Sequence, residues 1–138
     1  MADPQNGAFL GIFSNNGQQC LAGSRIFLES GIAGDFIDTL ITRTQNIRVG
    51  DPFDPETEIG ALGSMTHMEK VLSYVGIGQK EGGNLLTGGE MIEELAPGAF
   101  MQPTLMHVGD NAMRVCQEEI FGQFGIVQTF DSAEQAWA

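Results

Sequence analysis

Positively charged side chains are scarce in this sequence. Of its 138 residues, 6 are Lys or Arg and 18 are Asp or Glu, which gives a formal net charge of −12. A surface of this sign repels the phosphates of nucleic acids and of anionic lipids. We therefore expect neither nucleic acid nor a membrane surface as a partner, and an anionic cofactor would need positive groups or helix N-termini placed near it.

Long apolar runs are also missing. No stretch approaches the roughly 18 apolar residues of a membrane-spanning helix, and the opening Met-Ala-Asp-Pro-Gln lacks the basic start and apolar run of a signal peptide. A cytoplasmic location is the default expectation. The hydrophobic fraction of 42% is close to that of globular proteins, so the length predicts one folded domain with a single core.

Cysteine and histidine are few, with two residues of each. Cys20 and Cys116 could pair, but their separation and the lack of an export signal favour two free thiols. His67 and His107 are isolated, and no spacing typical of a metal-binding motif is present. The sequence therefore predicts no metal site.

Glycine is abundant, and a predicted turn that contains Gly17 precedes Cys20, the best candidate for a nucleophile in this sequence. Asn15, Asn16 and Gly17 should end the apolar segment before them, because Gly adopts positive φ freely and Asn tolerates it. A cysteine in such a turn can lie near free backbone N–H groups, which favour the nucleophilic thiolate. On spacing alone, a buried structural cysteine is the more common role. Both interpretations stay open at this point.

Apolar periodicity predicts three helices in the first part of the chain. The first helix has Asp3 as its N-cap and Pro4 at its first position. The second is capped by Ser30, and the third opens with a capping box of Thr66 and Glu69. Their apolar faces comprise Ala8, Phe9, Ile12 and Phe13 in the first helix; Ala33, Phe36, Ile37, Leu40, Ile41 and Ile47 in the second; and Met68, Val71, Leu72 and Val75 in the third.

Four strands are predicted between and after these helices. They cover residues 26–28, expected to be buried and parallel to a neighbour, residues 84–87, a short strand within residues 100–106 broken by Pro103, and residues 124–130. A helical turn at residues 111–115 and a final helix capped by Ser132 with Gln135 complete the pattern. Alternating strands and helices predict an α/β fold with a mostly parallel sheet flanked by helices.

Two motifs resemble a known family. The ordered string Phe13, Gly17, Gln18, Cys20, Ala22, Gly23, Ser24 and Arg25 resembles the catalytic-cysteine signature of the NAD(P)-dependent aldehyde dehydrogenase superfamily. Further downstream, Glu118-Glu119-Ile120-Phe121-Gly122 is similar to a second family motif. Gly50-Asp51-Pro52-Phe53-Asp54-Pro55, Gly88-Gly89 and Phe100-Met101-Gln102-Pro103-Thr104 are also similar to family landmarks. The resemblance covers essentially the whole chain but only part of a family member.

The resemblance implies a role for each matching residue. Cys20 would be the nucleophile that attacks the aldehyde, with its own backbone N–H as an oxyanion donor. Glu119 would bind the nicotinamide ribose hydroxyls of NAD or NADP, and Phe121 would pack beside the nicotinamide ring. Gln19 and Leu21, which flank the cysteine, would face the aldehyde. Without the motif, Glu119 would be a solvated loop residue and Phe121 a core residue.

The resemblance also implies what residues 1–138 lack. Gln123 stands where the family usually has Pro, which predicts a less rigid loop. The family's dinucleotide-binding domain, general-base Glu and oxyanion-hole Asn precede the cysteine, where this chain has only 19 residues. The tail used for oligomer contacts would follow. We therefore expect a partial aldehyde dehydrogenase catalytic domain that does not turn over alone.

Two functions of different classes remain. The first is an oxidoreductase segment that oxidises an aldehyde to a carboxylic acid only when a partner chain supplies the missing parts. The second is a non-catalytic remnant that acts as an association or regulatory module. In either case, strands without neighbours would leave an unpaired sheet edge. We therefore expect the chain to form a homo-oligomer or to bind a complementing chain.

Overall fold

The computed structural model describes residues 4–137, so the predicted N-cap at Asp3 lies outside the described residues. The helices are α1 (Pro4–Phe13), α2 (Ser30–Gln45), α3 (Met65–Lys80), α4 (Arg114–Gln117) and α5 (Ala133–Trp137). The strands are β1 (Arg25–Glu29), β2 (Asn84–Thr87), β3 (Thr104–Val108) and β4 (Phe124–Phe130). Short 3₁₀ turns cover Ser14–Gly17 and Glu93–Leu95.

The four strands form one sheet in the order β1-β4-β3-β2. β4 pairs in parallel with both β1 and β3, whereas β2 is antiparallel to β3. This confirms the predicted α/β fold with a mostly parallel sheet. Arg25 of β1 pairs with Ile126 of β4, so the loops that lead into these two strands lie at the same end of the sheet.

Helices cover both faces of the sheet, and two buried cores result. Successive residues of a strand point to opposite faces, so Leu105 and Met106 of β3 enter different cores although each is fully buried. The core on the α3 side contains Met68, Val71, Val75, Met106, Val115, Phe124 and Ile126. The core on the α1 and α2 side contains Phe9, Ile12, Phe13, Leu28, Ala33, Leu40, Leu105 and Val127. Most of the predicted apolar faces are confirmed, although Ile47 lies beyond the end of α2.

Two predicted helix starts are wrong. Ser30 is the first residue of α2 rather than its N-cap, and its hydroxyl donates to the carbonyl of Phe130 on β4 at 3.1 Å. α3 is capped by Ser64, whose hydroxyl accepts from the backbone N–H of His67 at 3.1 Å. The predicted cap, Thr66, is therefore inside α3. At α3 two hydroxyl residues, Ser64 and Thr66, are available to cap the same turn, whereas at α2 the Ser30 hydroxyl is engaged by β4 instead of the free N–H groups.

Two strand predictions also need correction. β1 is parallel to its neighbour as predicted, but it lies at the edge of the sheet and only Leu28 is buried. β3 begins at Thr104, directly after Pro103, because Pro has no N–H to donate to the ladder. No helix among residues 4–137 is long and apolar enough to cross a membrane.

The chain beyond β3 follows the prediction more closely. β4 covers the predicted residues, and the helical turn predicted at 111–115 is found slightly later, as α4. At the start of α5 the N–H of Gln135 donates to Ser132 Oγ at 3.4 Å, and Gln135 Oε1 accepts from the N–H of Asp131 at 2.7 Å. The predicted helix start at Ser132 is therefore confirmed.

Candidate active site

A small cleft lies where the chain enters β1 and β4, and it contains residues of both sequence motifs. Its volume is about 110 Å³, and Cys20, Gln19, Glu119 and Phe121 all line it. These residues meet because loops that precede neighbouring parallel strands lie at the same end of a sheet. Leu21 is not among the lining residues, and its side chain is 92% exposed. The structure thus brings four of the five predicted site residues together.

Cys20 lies in a tight turn with its side chain exposed. The turn is closed by the N–H of Ala22, which donates to the carbonyl of Gln19 at 3.1 Å. Beyond the turn, the N–H of Gly23 donates to the carbonyl of Gly11 on α1 at 2.8 Å. The backbone N–H of Cys20 has no acceptor within residues 4–137. A free donor therefore lies next to the sulfur.

Polar side chains fix the start of this cysteine loop. Asn15 and Asn16 have positive φ values of 51° and 60°, which end α1 and reverse the chain. Asn16 Nδ2 donates to the carbonyl of Ala61 at 2.8 Å. Gln18 Oε1 accepts from the N–H of Gly63 at 3.0 Å. The loop is therefore tied to the segment that leads into α3.

Two glycines lie against each other where the two loops of the site meet. Gly17 has a φ of +67°, and a Cβ atom at this position would lie 2.0 Å from the carbonyl oxygen of Gly122. A Cβ atom on Gly122 would in turn lie 2.6 Å from Val71 Cγ2 on α3. Only glycine fits at Gly17, both for its backbone angle and for the space available. The cysteine loop and the loop at residues 118–122 therefore meet backbone to backbone.

One face of α3 holds the loop at residues 118–122. This α3 stripe consists of His67, Lys70, Val71 and Tyr74, which are spaced i, i+3, i+4 and i+7 and so share a face of the helix. Lys70 Nζ donates to the carbonyl of Glu119 at 3.2 Å. Val71 packs against Gly122. The helix thus contacts several successive points of the loop.

His67 holds the loop where its backbone is strained. Phe121 has a φ of 60°, a conformation that a bulky side chain rarely adopts. Its carbonyl oxygen is 2.7 Å from His67 Nε2, and because a carbonyl only accepts, Nε2 carries the proton. The two rings also pack edge to face, with centroids 6.4 Å apart. These contacts keep the Phe121 ring at the cleft.

Glu118 is bound on both sides by neighbouring side chains. Its carboxylate accepts from Arg114 Nε at 2.7 Å, from Arg114 Nη2 at 3.1 Å and from the Tyr74 hydroxyl at 2.8 Å. The hydrogen bonds from Arg114, and secondly from Tyr74, lower the pKa of Glu118 below its ordinary value of 4.5. The same contact with Glu118, followed by burial, raises the pKa of Tyr74 above its ordinary value of 10.0.

Glu119 has different surroundings from its neighbour. Its side chain is exposed at the cleft, and the carboxylate has no hydrogen bond or ion pair with any of residues 4–137. Two adjacent glutamates therefore divide their roles. Glu118 is bound to the protein, whereas the carboxylate of Glu119 is available to accept hydrogen bonds from a ligand.

The second cysteine lines the same cleft but is buried. Cys116 is 7% exposed, and its Sγ lies 3.8 Å from the carbonyl oxygen of Asp110. Burial raises the pKa of its thiol above the ordinary value of 9.0, although the positive charge of Arg25 opposes this effect. Both thiols are free. The cleft thus contains one exposed and one shielded sulfur.

Gln123, where the sequence predicts a less rigid loop, is held by hydrogen bonds, and the lower rigidity itself stays a prediction. The Gln123 side chain is fully buried, and its Nε2 donates to the carbonyl of Gly60 at 3.3 Å. Its backbone carbonyl accepts from the N–H of Thr104 at 2.9 Å. Hydrogen bonds therefore restrain the backbone where a proline ring would otherwise restrict it.

The residues that support the site are not predicted from the sequence. His67 is isolated in sequence, without metal-ligand neighbours, and Tyr74 belongs to neither motif. Their helical spacing with Lys70 was the signal that could have identified them, because polar residues at i, i+3 and i+7 share a face. The contacts of Asn16 and Gln18 with residues 61 and 63 had no local signal.

Comparison with known proteins agrees with this geometry. Residues 3–138 match the sequence model of the aldehyde dehydrogenase family. The chain belongs to this family. The betaine aldehyde dehydrogenase of Mesorhizobium japonicum is 41% identical over 139 residues, and the match covers 97% of this chain and 28% of that protein. The 5-carboxymethyl-2-hydroxymuconate semialdehyde dehydrogenase of Escherichia coli is 45% identical over 133 residues, covering 92% and 28%.

Solved aldehyde dehydrogenase structures contain the same fold. The betaine aldehyde dehydrogenase of Staphylococcus aureus, solved in complex with NAD⁺, superposes with a TM-score of 0.92 at 35% identity. That superposition covers 96% of this chain and 27% of the other. The chain thus spans little more than a quarter of the length of the aldehyde dehydrogenases that it matches.

The contact between the two loops predicts that Gly17→Ala is destabilising. Because alanine disfavours positive φ and its Cβ would overlap the Gly122 carbonyl, we expect the free energy of unfolding to fall by more than about 1 kcal/mol. Urea denaturation followed by circular dichroism measures the change. Gly7→Ala is the matched control, since Gly7 lies in α1 with nothing within 4 Å of an added Cβ. We expect no loss there, and an equal loss in both variants would contradict the prediction.

The contacts of Glu118 predict a pH dependence of stability. Because its pKa is lowered in the folded chain, the unfolded chain takes up the proton first as the pH falls. The stabilisation from this contact is therefore present above the ordinary pKa and is lost as the pH falls through the folded value. We expect the difference in unfolding free energy between the natural chain and Glu118→Gln to shrink below about pH 4.5. Urea titrations at stepped pH measure it, and a constant difference from neutral to acidic pH would disprove the link.

Proposed function

We propose that this chain is the nucleophile-bearing segment of an NAD(P)-dependent aldehyde dehydrogenase catalytic domain. The observation that carries the proposal is the cleft in which the exposed Cys20, with a free N–H beside it, lies together with Glu119 and Phe121. The proposed reaction is the oxidation of an aldehyde to a carboxylic acid. We further propose that the chain completes it only with polypeptide that supplies the cofactor domain and the general base.

Cys20 is the proposed nucleophile. Its thiolate attacks the aldehyde carbon and forms a C–S bond, and the carbonyl electron pair moves to oxygen. The free N–H of Cys20 is a suitable donor to the resulting oxyanion. Loss of hydride from this thiohemiacetal leaves a thioester, which water hydrolyses to the acid and the free thiol. Gln19 is the flanking residue that lines the cleft, while contact of Leu21 with the substrate remains a prediction.

Residues at the cleft suit a nicotinamide cofactor. The carboxylate of Glu119 has no partner in the described part of the chain and can accept hydrogen bonds from two neighbouring ribose hydroxyls. The Phe121 ring, held by His67, offers an apolar surface to a flat ring. NAD or NADP would accept the hydride in this reaction. Several relatives are solved as NAD⁺ complexes, which supports this class of cofactor.

Acylation tests the nucleophile without a cofactor. Attack of Cys20 on p-nitrophenyl acetate transfers the acetyl group to sulfur and releases p-nitrophenolate. We expect a burst of about one p-nitrophenolate per chain, with the acetyl group found on the Cys20 peptide by mass spectrometry. Cys20→Ser should abolish the burst, and the matched variant Cys116→Ser should keep it. In a second arm, added polypeptide carrying the cofactor domain of a relative should give aldehyde-dependent reduction of NAD⁺.

The alternative, a non-catalytic association module, gives the opposite result. Acetylation spread equally over Cys20 and Cys116, or no acetylation of the folded chain, would reject the catalytic proposal. We also propose a cytoplasmic location, since the sequence contains no long apolar run. Under the catalytic proposal, aldehyde specificity also depends on further residues of the substrate site.

We also propose that the edge of β1 is covered by association. No strand among residues 4–137 pairs with the outer side of β1, and Phe27 on this strand is 39% exposed. Unpaired edges of this kind favour pairing with another chain.

Light scattering coupled to gel filtration tests the association. We expect an oligomer for the natural chain and dissociation in Phe27→Lys, because a charged side chain disfavours edge pairing. Phe53→Lys is the control, since Phe53 is 94% exposed in a loop. A monodisperse monomer for the natural chain would argue against the proposal.

A further inference from the structure

The loop at residues 118–122 contains two consecutive glutamates with opposite surroundings. Glu118 turns toward α3 and α4, where Tyr74 and Arg114 bind its carboxylate through three hydrogen bonds. Glu119 lines the cleft with its carboxylate unbound in the described residues. The backbone at Glu118 is extended, with φ −102° and ψ 148°. Because neighbouring side chains of an extended backbone point to opposite sides, holding the Glu118 side chain restricts the direction of Glu119.

We propose that Glu118, held by Tyr74 and Arg114, is a positioning residue that aims Glu119 and Phe121 into the Cys20 cleft. This inference rests on the proposed function, because the orientation of the Glu119 carboxylate matters for function only if that carboxylate binds a cofactor. Glu118 itself does not touch the cofactor. Its effect reaches the cleft through the backbone of its own loop.

Arg114 is itself anchored, which makes it a firm support for Glu118. Its backbone N–H donates to Glu81 Oε2 at 2.8 Å, next to the end of α3. Its guanidinium binds Glu118 through two nitrogens, a geometry that restricts rotation more than a single hydrogen bond does. Tyr74 approaches the same carboxylate from α3 and is 7% exposed. The Glu118 carboxylate therefore bridges α3 and α4.

The rest of the loop has its own attachments to the α3 stripe. Lys70 binds the carbonyl of Glu119, and His67 binds the carbonyl of Phe121. Both contacts are to backbone atoms and leave the side-chain direction of Glu119 free. The contacts of Glu118 come first along the chain and act through a side chain. The Glu118 contacts consequently determine the orientation of the peptide plane between Glu118 and Glu119.

Amide hydrogen exchange tests the positioning directly. In Tyr74→Phe and Glu118→Ala, we expect the amides of residues 119–122 to exchange at least about tenfold faster relative to those of β4. Glu118→Gln keeps an acceptor for the Tyr74 hydroxyl, so its exchange should lie between those of the natural chain and Glu118→Ala. Glu69→Gln, an exposed change elsewhere on α3, is the matched control and should leave loop exchange unchanged. Unchanged loop exchange in Glu118→Ala would overturn the proposal.

Protection of Cys20 by NAD⁺ connects the loop to its function. The rate of Cys20 alkylation, resolved by peptide mass spectrometry, is measured across NAD⁺ concentrations. In Tyr74→Phe and Glu118→Gln, we expect the NAD⁺ concentration for half-protection to rise about three- to tenfold, the range for one lost hydrogen bond. Glu119→Gln should also weaken protection while leaving loop exchange unchanged, which separates a contact residue from a positioning residue.

The two measurements separate failure of this proposal from failure of the proposed function. If NAD⁺ does not protect Cys20 in the natural chain, cofactor binding by this chain is rejected, while hydrogen exchange still decides whether Glu118 orders the loop. If NAD⁺ protects equally in the natural chain and in Glu118→Gln and Tyr74→Phe, the function stands and the positioning role is overturned. The double variant Tyr74→Phe with Glu118→Ala should lose little more than Glu118→Ala alone, because Glu118→Ala already removes the contact that Tyr74→Phe removes.

Discussion

The parallel pairing of β1 with β4 is the constraint on which the candidate site depends. The two sequence motifs are far apart along the chain, and each lies in the loop that leads into one of these strands. Parallel neighbours start at the same end of a sheet, so the pairing alone brings the cysteine loop and the loop at residues 118–122 together. Helices and side-chain contacts then determine the details. Disrupting the β1–β4 register would shift the thiol relative to Glu119 and strain the contact between the two loops.

Contacts around the cleft are divided between backbone and side chains. The contact of Gly17 with Gly122 sets how closely the two loops approach, and the α3 stripe sets how the second loop is turned. Polar groups that are bound, such as the Glu118 carboxylate, lie beside groups that are free, such as the Glu119 carboxylate and the Cys20 N–H. A site with this division is ordered before a ligand arrives, which reduces the entropy cost of binding.

Sequence patterns predicted the parts of the structure that local physics determines. The apolar faces of α1, α2 and α3, the position of β4 and the mostly parallel sheet followed from periodicity and alternation. The predicted cap at Thr66 is wrong because Ser64 caps the same turn, and the predicted cap at Ser30 is wrong because its hydroxyl donates to β4. The motifs singled out Cys20, Glu119 and Phe121, which line one cleft, while their roles stay predictions. The support from Tyr74 and Asn16 was not foreseen, since each binds a partner more than forty positions away in sequence.

The two fixed ends of the cysteine loop separate the residues of this chain that can be substituted at little structural cost from those that cannot. Gly17 is held against Gly122, and Gly23 is hydrogen-bonded to Gly11, so the intervening residues form a short bridge between fixed supports. Gln19 and Leu21 carry no packing of the core. Substitutions there would cost little folding energy and would alter the approach to the sulfur. Under the proposed function, substitutions at these two positions could therefore change the accepted aldehyde one residue at a time while Cys20 keeps its place.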